Sequence, residues 1–248
     1  MGNQLHKPLA FLLLSFFQQQ LVLAQSGYGI GGSIGAFVYQ GDLAPSATGS
    51  FKTKQPGIQL FVSKPLRTAF SARINLAISR LRGNDARYDH PEYRQQRNLN
   101  FRSSLVELSG LLMWSPLRKN REERGVAPYL LAGAGISFLN IKRDWSGVNT
   151  AYFGGDGSAM VANLSADEAH RLPKTIPVVP LGAGLRYTLS PRLSVSAEAT
   201  YRLVFTDYLD GFSQAANPSQ NDHYHSLTAS VVYSIGRKNR MDCPVIRY

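Results

Sequence analysis

Residues 221–226, with the sequence NDHYHS, contain the residue types that nucleophilic catalysis uses: Asp222, His223, His225 and Ser226. A serine nucleophile needs a histidine base within hydrogen-bond reach of its hydroxyl. His225 and Ser226 are adjacent, so on an extended strand their side chains point to opposite faces. We interpret this segment as polar residues at the end of a strand, and we predict that the chain has no catalytic residues and is not an enzyme.

Acidic residues in two other segments are candidates for cation binding. Asp85, Asp89 and His90 lie close together in one segment, and Asp207 and Asp210 lie in another. Their spacing does not match a D-x-D-x-D-G loop, in which oxygen ligands recur at alternate positions. We therefore expect no metal site and no cofactor.

Five further charged residues lie on the polar faces of alternating segments: Arg73, Glu107, Arg186, Glu198 and Arg202. Residues 68–79, TAFSARINLAIS, show the pattern, because apolar residues from Phe70 to Ile78 alternate with polar ones that include Arg73. A period of two residues indicates a strand with two unlike faces. Such a charge faces either bulk water or an enclosed interior.

Eight segments alternate in this way, and most are about 9–13 residues long. Strands that cross a membrane at a tilt need about 9–11 residues, whereas strands of soluble proteins are usually shorter. The predicted strands are residues 28–38, 57–63, 68–79, 103–114, 128–139, 179–189, 193–205 and 225–235.

Long connections follow the odd-numbered strands and shorter ones follow the even-numbered strands, which is typical of outer-membrane barrels. We predict an all-β fold, an eight-stranded antiparallel up-and-down transmembrane β-barrel. The alternative is a soluble β-sandwich or lipocalin-like barrel, which would expose Lys, Glu and Thr on its polar faces. The polar faces here carry Gly, Ser and Ala with single charges, which favours a lipid exterior and a narrow polar lumen.

In a narrow lumen the five charges should pair with one another, because an unpaired buried charge is costly. Three Arg and two Glu make a nearly neutral network, which we interpret as a structural plug; an ion pathway is the alternative. The expected partner of Arg73 is Glu107 on the neighbouring strand or Glu198 across the barrel.

The N-terminus resembles a secretory signal peptide. Lys7 precedes an apolar run from Leu9 to Phe17, and Val22 and Ala24 lie where a signal peptidase reads. The apolar run is shorter than the roughly 20 residues of a membrane-spanning helix. We predict three parts: a signal peptide (1–24), an outer-membrane barrel (25–236) and a periplasmic tail (237–248), with both termini of the mature chain in the periplasm.

The formal net charge of +11 suggests an anionic partner. Export excludes cytoplasmic nucleic acid, so we consider outer-membrane lipid or lipopolysaccharide, and proteins. Arginines in the connection 80–102 lie where they could bind glycolipid phosphates, or they could be solvated and partly cancelled by Asp85, Asp89 and Glu92. The periplasmic side carries the candidate partner contacts: Arg118, Lys119, Arg121, Arg237, Lys238, Arg240 and Cys243.

Cys243 is the only cysteine, so it cannot form a disulfide within the chain. In the oxidising periplasm it either forms an intermolecular disulfide or remains a tolerated thiol.

Several segments resemble a known family, the Bacteroidota outer-membrane barrels that include PorG, a component of the type IX secretion system. The segments are FVYQGDLAP (37–45), LNFRSSLVELSGLL (99–112), PYLLAGAGISF (128–138), PLGAGLRYTLSPRLSVSAEATYR (180–202), FTDYLDGFS (205–213) and DCP (242–244). The resemblance implies an eight-stranded OmpA-like barrel that contacts periplasmic secretion-ring lipoprotein subunits of a machine linked to gliding.

The function we predict is therefore a non-enzymatic outer-membrane anchor or assembly component of such a secretion machine, holding its partner through turn 115–127 and tail 237–248. The alternative is a surface barrel that binds glycolipid or another ligand through the connections 80–102 and 140–177.

Overall fold

The computed structural model describes residues 27–46, 48–66, 69–117 and 125–235. They form eight antiparallel strands that pair in chain order, and β8 pairs with β1 to close a barrel. The predicted fold class is confirmed. The strands are β1 (Tyr28–Gln40), β2 (Gln55–Pro65), β3 (Phe70–Asn84), β4 (Asn100–Trp114), β5 (Gly125–Asp144), β6 (Thr175–Thr188), β7 (Leu193–Val204) and β8 (His223–Ile235).

Several strands are longer than the sequence predicted. The pairing of β3 with β4 continues to Asn84 and Asn100, and β5 continues to Asp144. Polar residues on the outward face, such as Arg80 and Arg82, interrupt the apolar alternation from which the strand ends were predicted. Part of what we expected to be the connection 80–102 therefore belongs to two paired strands.

The two ends of the barrel differ. At one end, here called the turn end, the connections are residues 66–69, 115–124 and 189–192. The other end, the loop end, carries loop 1 (41–54), loop 2 (85–99), loop 3 (145–174) and loop 4 (205–222). Loop 2 contains helix α1 (Tyr93–Arg97) and loop 3 contains helix α2 (Ala159–Ala169). Neither helix has the length and hydropathy needed to cross a membrane.

The outward face of the barrel is apolar and exposed. Ile34 is 70% exposed and Leu108 is 51% exposed, although both lie in the middle of paired strands. Half-exposed aromatic residues encircle the turn end at the boundary of this apolar band: Tyr28, Phe70, Trp114, Tyr187 and Tyr233. An apolar band bordered by aromatic residues is the exterior of a membrane barrel.

The interior changes character along the barrel axis. Its middle is polar, as the sequence predicted for the whole lumen. Towards the loop end it becomes a hydrophobic core, where Phe37, Leu81 and Phe101 from the strands are completely buried. Loops contribute Leu43, Leu164 and Phe212 to the same core. The folded loops therefore close the barrel at this end.

Candidate functional site: the lumen and the loop end

Arg202 of β7 and Glu107 of β4 form a buried ion pair in the middle of the lumen, with 3.0 Å between Arg202 Nε and Glu107 Oε2. Arg202 also donates to the Thr200 carbonyl oxygen at 3.1 Å and to the Ser226 hydroxyl. Glu107 accepts further hydrogen bonds from Ser109 and Tyr224, both at 3.0 Å. A buried charge is tolerated when it is paired and hydrogen-bonded in this way.

Arg73 of β3 pairs with Glu198 of β7, on the opposite side of the barrel, with 2.8 Å between Arg73 Nη1 and Glu198 Oε2. Of the two partners expected for Arg73, the structure selects the one across the lumen. Tyr129 donates to the same carboxylate oxygen at 2.8 Å, and Thr200 donates to the other oxygen at 3.1 Å. The Arg73 guanidinium lies over the Phe61 ring, 4.3 Å from its centroid.

Arg186, the fifth predicted network residue, lies nearer the turn end. No described carboxylate lies within salt-bridge distance of it, and its guanidinium lies 5.3 Å from the Tyr129 ring centroid. The network is thus two ion pairs with an additional arginine. Together the charged, hydroxyl and aromatic side chains fill the middle of the lumen.

The sequence did not identify Tyr129 and Tyr224 as members of this network. Tyr129 lies within the predicted strand 128–139, and Tyr224 lies one residue before the predicted strand 225–235. Both hydroxyls are buried and bind the two lumen carboxylates. The sequence does contain a signal for these residues, because a tyrosine among inward-facing glycine and serine residues places its hydroxyl inside the lumen. A buried hydroxyl needs a hydrogen-bond partner, and the lumen carboxylates supply one.

The candidate triad residues do not converge. Asp222, the last residue of loop 4, is buried. Ser226 points inward to Arg202, and His225 lies on the outward face with its ring 6.0 Å from that of Phe51. His223 Nδ1 accepts the Val204 backbone N–H at 3.2 Å. No nucleophile–base pair forms within residues 221–226.

A buried carboxyl pair ties loop 4 to β1. The Tyr39 hydroxyl lies 2.7 Å from both Asp210 Oδ2 and Asp222 Oδ1. A hydroxyl has one proton to donate, so the second contact requires a proton on one of the carboxyls. Burial raises the pKa of Asp210 and of Asp222, and the charge of Asp210 raises that of Asp222 further. The glycine at position 41 is needed here, because a Cβ atom would collide with Asp222 and the Tyr39 ring.

Asp207 adds a third acidic group to this end of the barrel. Burial raises the pKa of Asp207 to about 7, and the charges of Asp42 and Asp167 raise it as well. Within the described ranges, no group of three or more His, Cys, Asp or Glu side chains is placed to hold a metal ion.

Two arginines of loop 2 are structural. Asp85 is completely buried; it accepts Arg97 in a bidentate pair at 2.7 and 3.1 Å and Arg94 at 2.8 Å. Both arginines also donate to the Asp42 carbonyl oxygen of loop 1. These contacts hold loops 1 and 2 together, so Arg94 and Arg97 are engaged within the protein. Of the other arginines expected near glycolipid, Arg80, Arg82 and Arg102 lie on the outward faces of β3 and β4, and Arg87 is an exposed residue of loop 2.

A polar cavity of about 650 Å³ lies between loops 1, 2 and 4. Its lining includes the rings of Tyr93 and Tyr201 and the amides of Asn217, Gln220 and Asn221. Loop 3, which we had expected to share in ligand binding, does not line the cavity.

The candidate partner contacts lie outside the described residues. They are Arg118, Lys119, Arg121, Arg237, Lys238, Arg240 and Cys243, and the predicted signal peptide (1–24) and tail (237–248) also lie there.

The family model described as "Outer membrane protein beta-barrel domain" matches residues 9–234. The chain belongs to this family. As an outer-membrane β-barrel protein, it presents its apolar outward face to lipid, and Arg73 lies inside the barrel. No curated protein matches its sequence.

Among solved structures, this outer-membrane barrel is similar to Ail, the attachment invasion locus protein of Yersinia pestis, solved with the heparin analogue sucrose octasulfate. The identity is 12%, the match covers 85% of this chain and 99% of Ail, and the TM-score is 0.45. Neisserial surface protein A is 14% identical, with 83% and 96% of the two chains covered and a TM-score of 0.46. A major outer membrane protein of Thermus thermophilus is 14% identical, with 84% and 99% covered and a TM-score of 0.46.

Proposed function

We propose that this protein is a non-enzymatic anchor in the outer membrane, with its loop end outside the cell and its turn end and both termini in the periplasm. The observation that carries the proposal is the closed interior: two ion pairs fill the middle of the lumen, and a hydrophobic core closes the loop end. A lumen filled in this way leaves no pathway for the transport of ions or solutes. The barrel instead provides a rigid attachment to the membrane.

The partner we propose is a periplasmic lipoprotein ring of a type IX, gliding-linked secretion machine. The support is the sequence resemblance together with the basic residues of the turn and tail, such as Arg121 and Arg240. These side chains, with Cys243, would dock on an acidic surface of the partner.

Site-specific photocrosslinking in cells tests the anchor. A crosslinker at Arg121 should capture a periplasmic ring protein, and deletion of residues 237–248 should reduce this capture. The matched control is a crosslinker at Asp156, an exposed residue of loop 3, which should capture no periplasmic protein. Capture that is equal at the two positions, or unchanged by the deletion, would refute docking through the turn end.

The polar cavity supports a second candidate function, the binding of a hydroxyl-rich ligand such as a glycan. Tyrosine rings and side-chain amides suit the faces and hydroxyls of a sugar, and Tyr93, Tyr201 and Asn217 supply them. A glycan array probed with the purified barrel should give signals that Tyr201→Ala and Asn217→Ala abolish. Tyr152→Ala, at an exposed tyrosine of loop 3, is the control. Signals that survive both cavity substitutions would exclude this site.

A further inference from the structure

Three neighbouring strands carry positive charges side by side on the outward face. Arg82 of β3 is the direct register partner of Arg102 of β4, and Arg102 is the direct partner of Lys142 of β5. We call Arg82, Arg102 and Lys142 the basic row. Side chains directly opposite one another in a sheet lie close together, and like charges in these positions are destabilising.

The charges of the basic row are not neutralised within the described part of the chain. The salt bridges found there involve other arginines, and the buried Arg82 Nε atom has no hydrogen-bond partner. Asp144 lies two residues beyond Lys142 on β5, and its carboxylate accepts hydrogen bonds from Asn100 and Ser146. An external anion is the remaining source of compensation.

The position of the basic row relative to the apolar band identifies that anion. Ile78, Val106 and Phe138 are register partners that form the last apolar row on these strands. The next outward row is Arg80, Ser104 and Asn140, and the basic row follows it. Four residues of strand separate Ile78 from Arg82, roughly 13 Å. This progression from apolar to polar to cationic matches the passage from lipid chains to headgroup phosphates.

We propose that the basic row, with Arg80 beneath it, binds the phosphate groups of an outer-leaflet glycolipid. Guanidinium groups bind phosphate oxygens in a bidentate manner, and two adjacent arginines with a lysine can engage more than one phosphate group. The choice of an outer-leaflet lipid rests on the orientation given under the proposed function. Bound phosphate would remove the repulsion within the row and fix β3–β5 at the membrane surface.

Native mass spectrometry of the full chain tests the site. The protein is incorporated into phosphatidylcholine nanodiscs that also contain diphosphoryl lipid A, its dephosphorylated form or phosphatidylglycerol, and the lipid retained after detergent extraction is measured. Diphosphoryl lipid A should be retained in preference to both other lipids. Arg102→Gln/Lys142→Gln should weaken its retention roughly fivefold for each charge removed.

The control variant is Lys64→Gln/Arg192→Gln, which removes the same charge from the turn end and should bind as the wild type does. Arg82→Gln/Arg102→Gln is a second test variant, and heat-modifiable migration in gels identifies folded barrels.

Equal retention of the dephosphorylated lipid, or equal loss in test and control variants, would overturn the proposal. Equal retention of phosphatidylglycerol would overturn the assignment to glycolipid. Turn-end crosslinking should be unchanged in Arg102→Gln/Lys142→Gln, so the anchor and the lipid site can fail separately.

Discussion

At the scale of single residues, the lumen carboxylates stabilise the barrel only as partners of arginine. Glu107 accepts hydrogen bonds from Arg202, Ser109 and Tyr224. Glu107→Gln leaves Arg202 buried without a counterion, and we expect the free energy of unfolding to fall by about 3 kcal/mol. Urea titration of the protein in lipid vesicles, followed by tryptophan fluorescence, measures this loss. The volume-matched double variant Glu107→Leu/Arg202→Met should recover most of it, and a Glu107→Gln protein as stable as the wild type would contradict the expectation.

The three buried or partly buried acidic residues of loop 4, Asp207, Asp210 and Asp222, predict that the local stability of this loop depends on pH. The pKa of Asp207 is about 7 in the folded protein and 3.8 in its ordinary state. A raised pKa means that the folded state binds the proton of Asp207 more tightly than the unfolded state does. Protonation of Asp207 therefore stabilises the folded loop fully below pH 3.8, and this stabilisation is lost as the pH rises through about 7. Hydrogen exchange of residues 205–222, corrected for the intrinsic rate, should show less protection at pH 8 than at pH 5.

Asp207→Asn should reduce this change without abolishing it, because burial also raises the pKa of Asp210 and of Asp222. Protection that increases with pH in the wild-type protein would contradict the assigned direction.

At the scale of elements, one side chain of α2 positions loop 4. Asp167 is buried and accepts the backbone N–H groups of Ser213, Gln214 and Ala215 at 3.2, 3.0 and 2.9 Å. Asp167→Ala leaves these donors without a partner, at a cost of about 1–3 kcal/mol for each donor that stays buried. We expect loop 4 to detach from α2 and become sensitive to limited proteolysis. Glu168→Ala, at the exposed neighbour, should leave cleavage unchanged; equal cleavage of both variants would show that Asp167 does not hold the loop.

The sequence predicted the strands and the charged residues of the lumen because both follow from alternation along one strand. It could not predict the loop-end core, which depends on contacts between distant segments. Tyr39 and Asp210 are 171 residues apart, yet they lie in two of the segments that carry the family resemblance, FVYQGDLAP and FTDYLDGFS. Those segments meet to close the barrel, so this part of the resemblance reflects folding and carries no information about a partner.

At the scale of the whole molecule, the barrel has two barriers in series: the polar middle of the lumen and the hydrophobic core at the loop end. Ions would have to displace paired charges in the first and enter an apolar core in the second, and either step alone is unfavourable. The wild-type protein should therefore show no steady conductance in planar bilayers. Replacing Arg73, Glu107, Glu198 and Arg202 together by alanine should lower the stability of the barrel. This variant should still show no steady conductance, because Phe37, Leu81 and Phe101 still fill the loop end. Steady conductance through the wild-type barrel would contradict the closed interior, and conductance through the alanine variant would show that the ion pairs are the only effective barrier.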